Sequence, residues 1–176
     1  MRRAKNILLI VLLLTMVAAA RKRDPLTEAE TDQLREVAME PQNRLKLYIK
    51  FAEVRLLAID QLRSDPKAAN GRGKKIHDLL EDFTAILDEI NDNLDTYEGR
   101  PLNKDDRKAF HKGLKEVIES NEKFDLKLRT LKSAEDSDPQ AKKEAADYQF
   151  VLADAQDALK SSGDMAREYL NQKDPG

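Results

Sequence analysis

The two histidines are the first residues to test for chemistry, because the chain contains no cysteine. Helical periodicity places His77 and His111 near the starts of successive helices, roughly 20 Å apart along the fold at about 1.5 Å per residue. His77 and Glu81 are one turn apart and would offer two ligands to a metal ion. A solvated histidine beside a carboxylate is the commoner arrangement. We therefore predict no metal site and no cofactor.

A second candidate is the stretch GRGKK, residues 71–75. It resembles part of a phosphate-binding loop, but it lacks the upstream glycine and the Ser or Thr that should follow the lysine. Arg72, Lys74 and Lys75 crowd the predicted start of a helix, where the helix dipole disfavours cations. An anionic partner would relieve that conflict, because helix N-termini bind anions. These three residues are a candidate anion site, and a solvated loop is the alternative.

A third candidate is Asn121, the single polar residue in an otherwise apolar helical seam. A polar residue in such a seam fixes the register of helices, or it serves a ligand or partner. The alternative is an asparagine at the edge of the fold that reaches water. The seam consists of Phe110, Leu114, Val117, Asn121, Phe124, Leu128 and Leu131.

Catalytic patterns are missing from the sequence, and we predict that the protein is not an enzyme. The Asp and Glu residues alternate with Lys along the helices, as expected for solvated faces rather than for a catalytic pair. Residues 91–102 resemble a calcium loop but lack its turn glycine and its final glutamate.

Four segments must position the candidate residues. In each segment the apolar residues recur at three- and four-residue steps, which is the pattern of an amphipathic helix. The first segment opens with a capping box at Thr27 and Glu30 and should kink or break near Pro41. Short loops make successive helices antiparallel. The sequence therefore predicts an all-α, up-down-up-down four-helix bundle with coiled-coil-like seams, a single domain over residues 27–172.

Residues 1–20 resemble a secretory signal, with a basic start, an apolar middle and three small residues before a cut after Ala20. The apolar run, residues 7–20, would span about 21 Å as a helix, which is short of the bilayer's hydrocarbon core of about 30 Å. We predict a cleaved signal, a basic linker over residues 21–26 and a disordered tail at 173–176. The basic residues 21–23 keep an inner-membrane anchor as the alternative.

The charge balance bears on partners. Removing residues 1–20 takes away three basic residues and no acidic one, so the net charge falls from −2 to −5. A mildly acidic, evenly mixed surface argues against nucleic acid as a partner. The absence of cysteine in an exported chain fits a bacterial periplasmic protein. Membrane contact is expected only through the N-terminal segment, if that segment stays uncleaved.

Residues Leu26 to Arg35, LTEAETDQLR, resemble the LTxxQ motif of periplasmic envelope-stress helical proteins such as the Spy-like chaperones. Glu30 stands where that family has Gln, and the motif occurs once. The resemblance covers about ten residues and implies no site residues.

Together these observations predict an exported, non-enzymatic protein of the bacterial cell envelope that acts as an interaction or structural module. Its partner would be another protein or a second copy of itself. The alternative is a periplasmic chaperone-like or anion- or ligand-binding helical bundle.

Overall fold

The structure, a computed structural model, describes residues 24–172 and the side chains of all of these except residues 135–137. Within residues 24–172 every regular element is helical, so the all-α prediction is confirmed. The predicted signal segment (1–20) and tail (173–176) lie outside the described residues. The elements are α1 (Glu28–Glu36), α2 (Pro41–Ser64), a short 3₁₀ helix (Pro66–Ala69), α3 (Arg72–Glu98), α4 (Lys104–Ser137), α5 (Pro139–Ala145) and α6 (Gln149–Asn171).

Local capping chemistry sets most helix starts. The Thr27 hydroxyl accepts a bond from the Glu30 amide at 3.2 Å, and the Thr27 amide donates to the Glu30 carboxylate at 2.8 Å. This capping box was predicted from the sequence and is confirmed. Asn103 caps α4 by accepting from the amides of Asp105 and Asp106. Each of these bonds satisfies an amide that the helix itself leaves without an acceptor.

Proline separates the first periodic segment into two helices. α1 ends at Glu36, and α2 begins at Pro41, which occupies the first helical position. Proline is tolerated there because its missing N–H has no acceptor in the first turn. The segment therefore breaks rather than bends, and α1 becomes a separate short helix that packs against α2.

The fourth segment also divides, which the sequence does not predict. Its apolar stripe keeps helical phase, yet α5 ends at Ala145 and α6 begins at Gln149. Gly73 of α3 lies against this turn: a β-carbon at position 73 would sit 2.7 Å from the Glu144 carbonyl oxygen. Only glycine permits so close an approach between the two backbones. The turn between α5 and α6 thus packs against Gly73, which is distant from it in the sequence.

The four long helices pack in a closed cycle of pairs. α2 packs against α3 and α4, and α6 packs against α3 and α4. The backbones of α3 and α4, which follow each other in the chain, stay apart over nearly all of their described length. These two helices meet instead through core side chains, where the rings of Phe83 and Phe124 contact edge to face at 5.7 Å.

Candidate functional site

The predicted anion site lies in the first turn of α3 rather than in a loop. Arg72 is the first residue of α3, and its guanidinium Nε lies 3.6 Å from the Glu144 carboxylate of α5. A second guanidinium nitrogen donates to the Arg63 carbonyl at 3.3 Å. Lys74 and Lys75 are exposed. The structure therefore gives Arg72 protein partners and does not gather the three cations around one point.

Asn121 is buried between α4 and α6, with 6% of its surface exposed. Its side-chain amide donates to the Leu159 carbonyl of α6 at 3.2 Å. Gly163 lies beside this amide, and a β-carbon there would be 3.4 Å from it. Asn121 thus joins two helices and is not at a water-exposed edge. This geometry is what a register-fixing role would need.

A largely buried ion pair joins Arg55 and Glu30. The guanidinium donates to both carboxylate oxygens, at 2.5 and 2.7 Å, and the side chains are only 8% and 12% exposed. Arg55 also donates to the Pro25 carbonyl at 2.6 Å. We call these three residues the N-terminal clasp. A bidentate pair of this kind is strong and has fixed geometry. The clasp holds the chain before and within α1 against α2.

The sequence indicates the capping role of Glu30 but not its pairing with Arg55. One signal was present: Arg55 falls on the apolar stripe of α2, between Ala52 and Leu56. A buried arginine needs a carboxylate or several acceptors. The sequence does not show which carboxylate, because Glu30 lies on a different helix.

Several groups compete to set the pKa of Glu30. Burial pushes the pKa up, while the hydrogen bonds from Arg55 and from the Thr27 amide, together with the Arg55 charge, push it down. The stabilising contacts prevail, so the pKa of Glu30 lies below its ordinary value of 4.5. Glu30 is therefore a carboxylate at neutral pH, and the clasp is an ion pair.

An acidic cavity of about 230 Å³ lies beside the clasp, between α3 and α6. The hydroxyl of Thr84 in its wall is buried and finds no hydrogen-bond partner within residues 24–172. The wall is rich in carboxylates and would repel anions while favouring cationic groups. The lining residues are Pro25, Glu81, Asp82, Thr84, Ala85, Asp88, Val151 and Asp154.

Tyr169 ties the end of α6 to the end of α3. Its hydroxyl donates to the Asp95 carboxylate, and this bond, burial and nearby acidic charges raise the pKa of Tyr169 to about 12. Because the folded state holds this proton more tightly, the bond contributes fully below the ordinary tyrosine value of 10.0 and is lost as pH rises through about 12.

We expect Tyr169→Phe to remove the transition near pH 12 from an ultraviolet titration of tyrosinate. Asp95→Asn should move the same transition to lower pH, because an amide does not repel the phenolate. A titration that keeps this transition in Tyr169→Phe would contradict the assignment. Burial also raises the pKa values of Tyr48 and Tyr97, so the transition of Tyr169 is read from the difference between the wild-type and Tyr169→Phe titrations.

The fold and these contacts define an all-α protein whose helices are joined by buried polar pairs. Comparison of the chain with protein-family models, with curated proteins and with solved structures gives no significant match. Within residues 24–172, no helix combines the length and apolar character that a membrane span requires.

Proposed function

We propose that the chain is an exported, non-enzymatic helical-bundle protein of the bacterial cell envelope that works as an interaction or structural module. The observation that carries this proposal is the N-terminal clasp. Pro25 follows the signal-like segment by five residues in the sequence, and its carbonyl binds Arg55 of α2. Residues 21–24 therefore separate the segment that would address the protein from its attachment to α2 at Pro25.

The proposed body is a single up-down-up-down bundle. Contacts between α2 and α3 run in opposite order, from Arg44 with Asn93 to Arg55 with Asp82. Contacts between α2 and α4 run in the same order, from Gln42 with Glu116 to Asp60 with Lys127. Both orders follow if the helices alternate in direction along the chain.

The clasp has a different effect on the protein's position when the N-terminal segment is kept and when it is cleaved. If residues 7–20 remain in the membrane, the residues between them and Pro25 span at most about 14 Å when extended. The bundle would then stand directly on the membrane surface. If the segment is cut after Ala20, the same clasp still holds Pro25 against α2, and the protein is released.

Cell fractionation with intact-mass measurement tests this proposal. We expect a product shortened by residues 1–20 in the periplasmic fraction of the native cells. A full-length product in the membrane fraction would mean that the protein is anchored rather than released. The proposed location in the cell envelope would still hold. A full-length product in the cytoplasm would overturn export. Cross-linking in cells, followed by purification, should capture a partner protein or a second copy, and a product that stays uncross-linked would contradict the interaction role.

The second candidate function is anion binding at the start of α3. The exposed Lys74 and Lys75 favour it, whereas the pairing of Arg72 with Glu144 opposes it. A phosphate titration of the wild-type chain and of Arg72→Ala with Lys74→Ala decides the question. Equal phosphate affinities of the wild type and the double variant would contradict the anion site.

A further inference from the structure

One exposed turn of α3 brings together three potential metal ligands. One donor atom from each of His77, Asp78 and Glu81 lies within 4.8 Å of the other two. The imidazole Nδ1 is 3.3 Å from an oxygen of Asp78 and 3.8 Å from an oxygen of Glu81. The sequence alone pairs His77 with Glu81 by their one-turn spacing. The structure adds Asp78 as a third donor.

The two separations that involve His77 are close to what a small divalent ion requires. Metal–ligand bonds of about 2.0–2.2 Å in a tetrahedral site separate neighbouring donors by about 3.3–3.6 Å. The contact of His77 with Asp78 already lies at that separation, and the contact of His77 with Glu81 exceeds it slightly. Rotation of the Glu81 side chain, which is 61% exposed, would close the remaining gap.

The surrounding charges also favour a cation. Glu81 lines the acidic cavity, whose wall adds the carboxylates of Asp82, Asp88 and Asp154. Of the opposing cations at the start of α3, Lys74 and Lys75 are exposed and screened by solvent, and Arg72 is paired with Glu144. The helix dipole acts mainly within the first turn, and His77 lies beyond it. The cavity beside Glu81 leaves room for water to complete the coordination.

We propose that His77, Asp78 and Glu81 bind one divalent transition-metal ion of the Zn²⁺ type. One imidazole nitrogen and two carboxylate oxygens form a borderline donor set. Such a set suits Zn²⁺, Co²⁺ or Ni²⁺ better than Ca²⁺, which prefers six or more oxygens. Three protein ligands on one exposed turn leave a coordination position open. A ligand from a partner molecule would fit there.

Isothermal titration with Zn²⁺ tests the site, using the full chain purified in mild detergent without a histidine tag. We expect one ion per chain. His77→Ala should weaken binding at least about tenfold, because even outer-shell changes at metal sites cost about 10- to 100-fold. His111→Ala is the matched control, since His111 is the only other histidine. Its affinity should equal that of the wild type.

Further variants separate this site from general attraction to the acidic cavity. Glu81→Gln removes one donor at nearly constant shape and should also weaken binding, whereas Asp154→Asn removes only a nearby charge and should weaken it less than either donor variant does. The absence of Zn²⁺ binding, or equal losses in His77→Ala and His111→Ala, would overturn the proposal. So would a Ca²⁺ affinity that matches the Zn²⁺ affinity. Circular dichroism of each variant confirms that the comparison is between folded chains.

Discussion

Replacing Arg55 by Met is expected to lower the free energy of unfolding by about 3–5 kcal/mol, because it leaves the buried Glu30 carboxylate without its counter-charge. Arg55 is 8% exposed at its side chain and is bonded to Glu30 and to the Pro25 carbonyl. Methionine fills a similar volume but replaces none of these donors. Chemical denaturation followed by circular dichroism measures the loss, if unfolding is two-state.

The matched control is Arg35→Met, which removes an exposed ion pair. Arg35 lies 2.6 Å from Asp32, but the two side chains are 73% and 59% exposed. Pairs of this kind contribute about 0–1 kcal/mol. Equal losses in Arg55→Met and Arg35→Met would show that the clasp contributes little. The double variant Glu30→Gln with Arg55→Met should recover part of the loss, because position 30 then no longer carries a buried charge without its counter-charge.

The pH dependence gives a second readout of the clasp. Since the pKa of Glu30 is lower in the folded state than its ordinary 4.5, the folded chain binds this proton less readily than the unfolded chain. The stabilisation is therefore complete above pH 4.5 and is lost as the pH falls through the lower, folded value. Arg55→Met should lose less stability than the wild type over that acid range.

The second large effect is expected in the core. Phe83→Ala should cost about 3–5 kcal/mol, because it deletes a buried ring and leaves a cavity. Phe83 is 0% exposed, and its ring meets that of Phe124 at an interplanar angle of 81°. This aromatic pair is one of the places where α3 touches α4. Loss of the Phe83 ring should therefore weaken the packing of α3 against α4. Unfolding in denaturant measures the change in the free energy of unfolding.

Leu126→Ala is the control for Phe83→Ala. Leu126 lies two residues from Phe124 on α4, but it is 68% exposed, so its truncation should change stability by no more than about 0.5 kcal/mol. A double-variant cycle of Phe83→Ala with Phe124→Ala should give a coupling of about 0.5–1.5 kcal/mol. Comparable losses in Phe83→Ala and Leu126→Ala would contradict the core assignment.

Local chemistry explains which features could be predicted from the sequence. The capping box of Thr27 and Glu30 and the break near Pro41 depend on residues within a few positions of one another. The turn between α5 and α6 was not predicted, because it depends on the approach of Gly73 from another helix. Periodicity shows which face of a helix is buried but not which helix covers it.

The same distinction applies to the candidate sites. Arg72, Lys74 and Lys75 were grouped because they are close in sequence, but the fold turns Arg72 towards Glu144. The partner of Arg55 lies 25 residues away in the sequence and has no spacing rule to reveal it. The third donor beside His77 was overlooked for another reason. Adjacent residues on a helix usually point to different sides, and only the side-chain positions show that Asp78 meets the imidazole.

The separation of α3 from α4 has a consequence for how the chain is put together. α2 and α3 pack as one pair and α4 and α6 as another, and residues 99–103 are the covalent link between them. Contacts within each pair, such as that of Arg44 with Asn93 across 49 residues, close smaller loops than a contact between the pairs, such as that of Asp60 with Lys127 across 67 residues, and smaller loops cost less entropy to close. The link keeps the two pairs at high effective concentration while the faces between α2 and α4 and between α3 and α6 pack together. The described chain can thus be regarded as two helical hairpins that pack against each other and are joined by a five-residue loop.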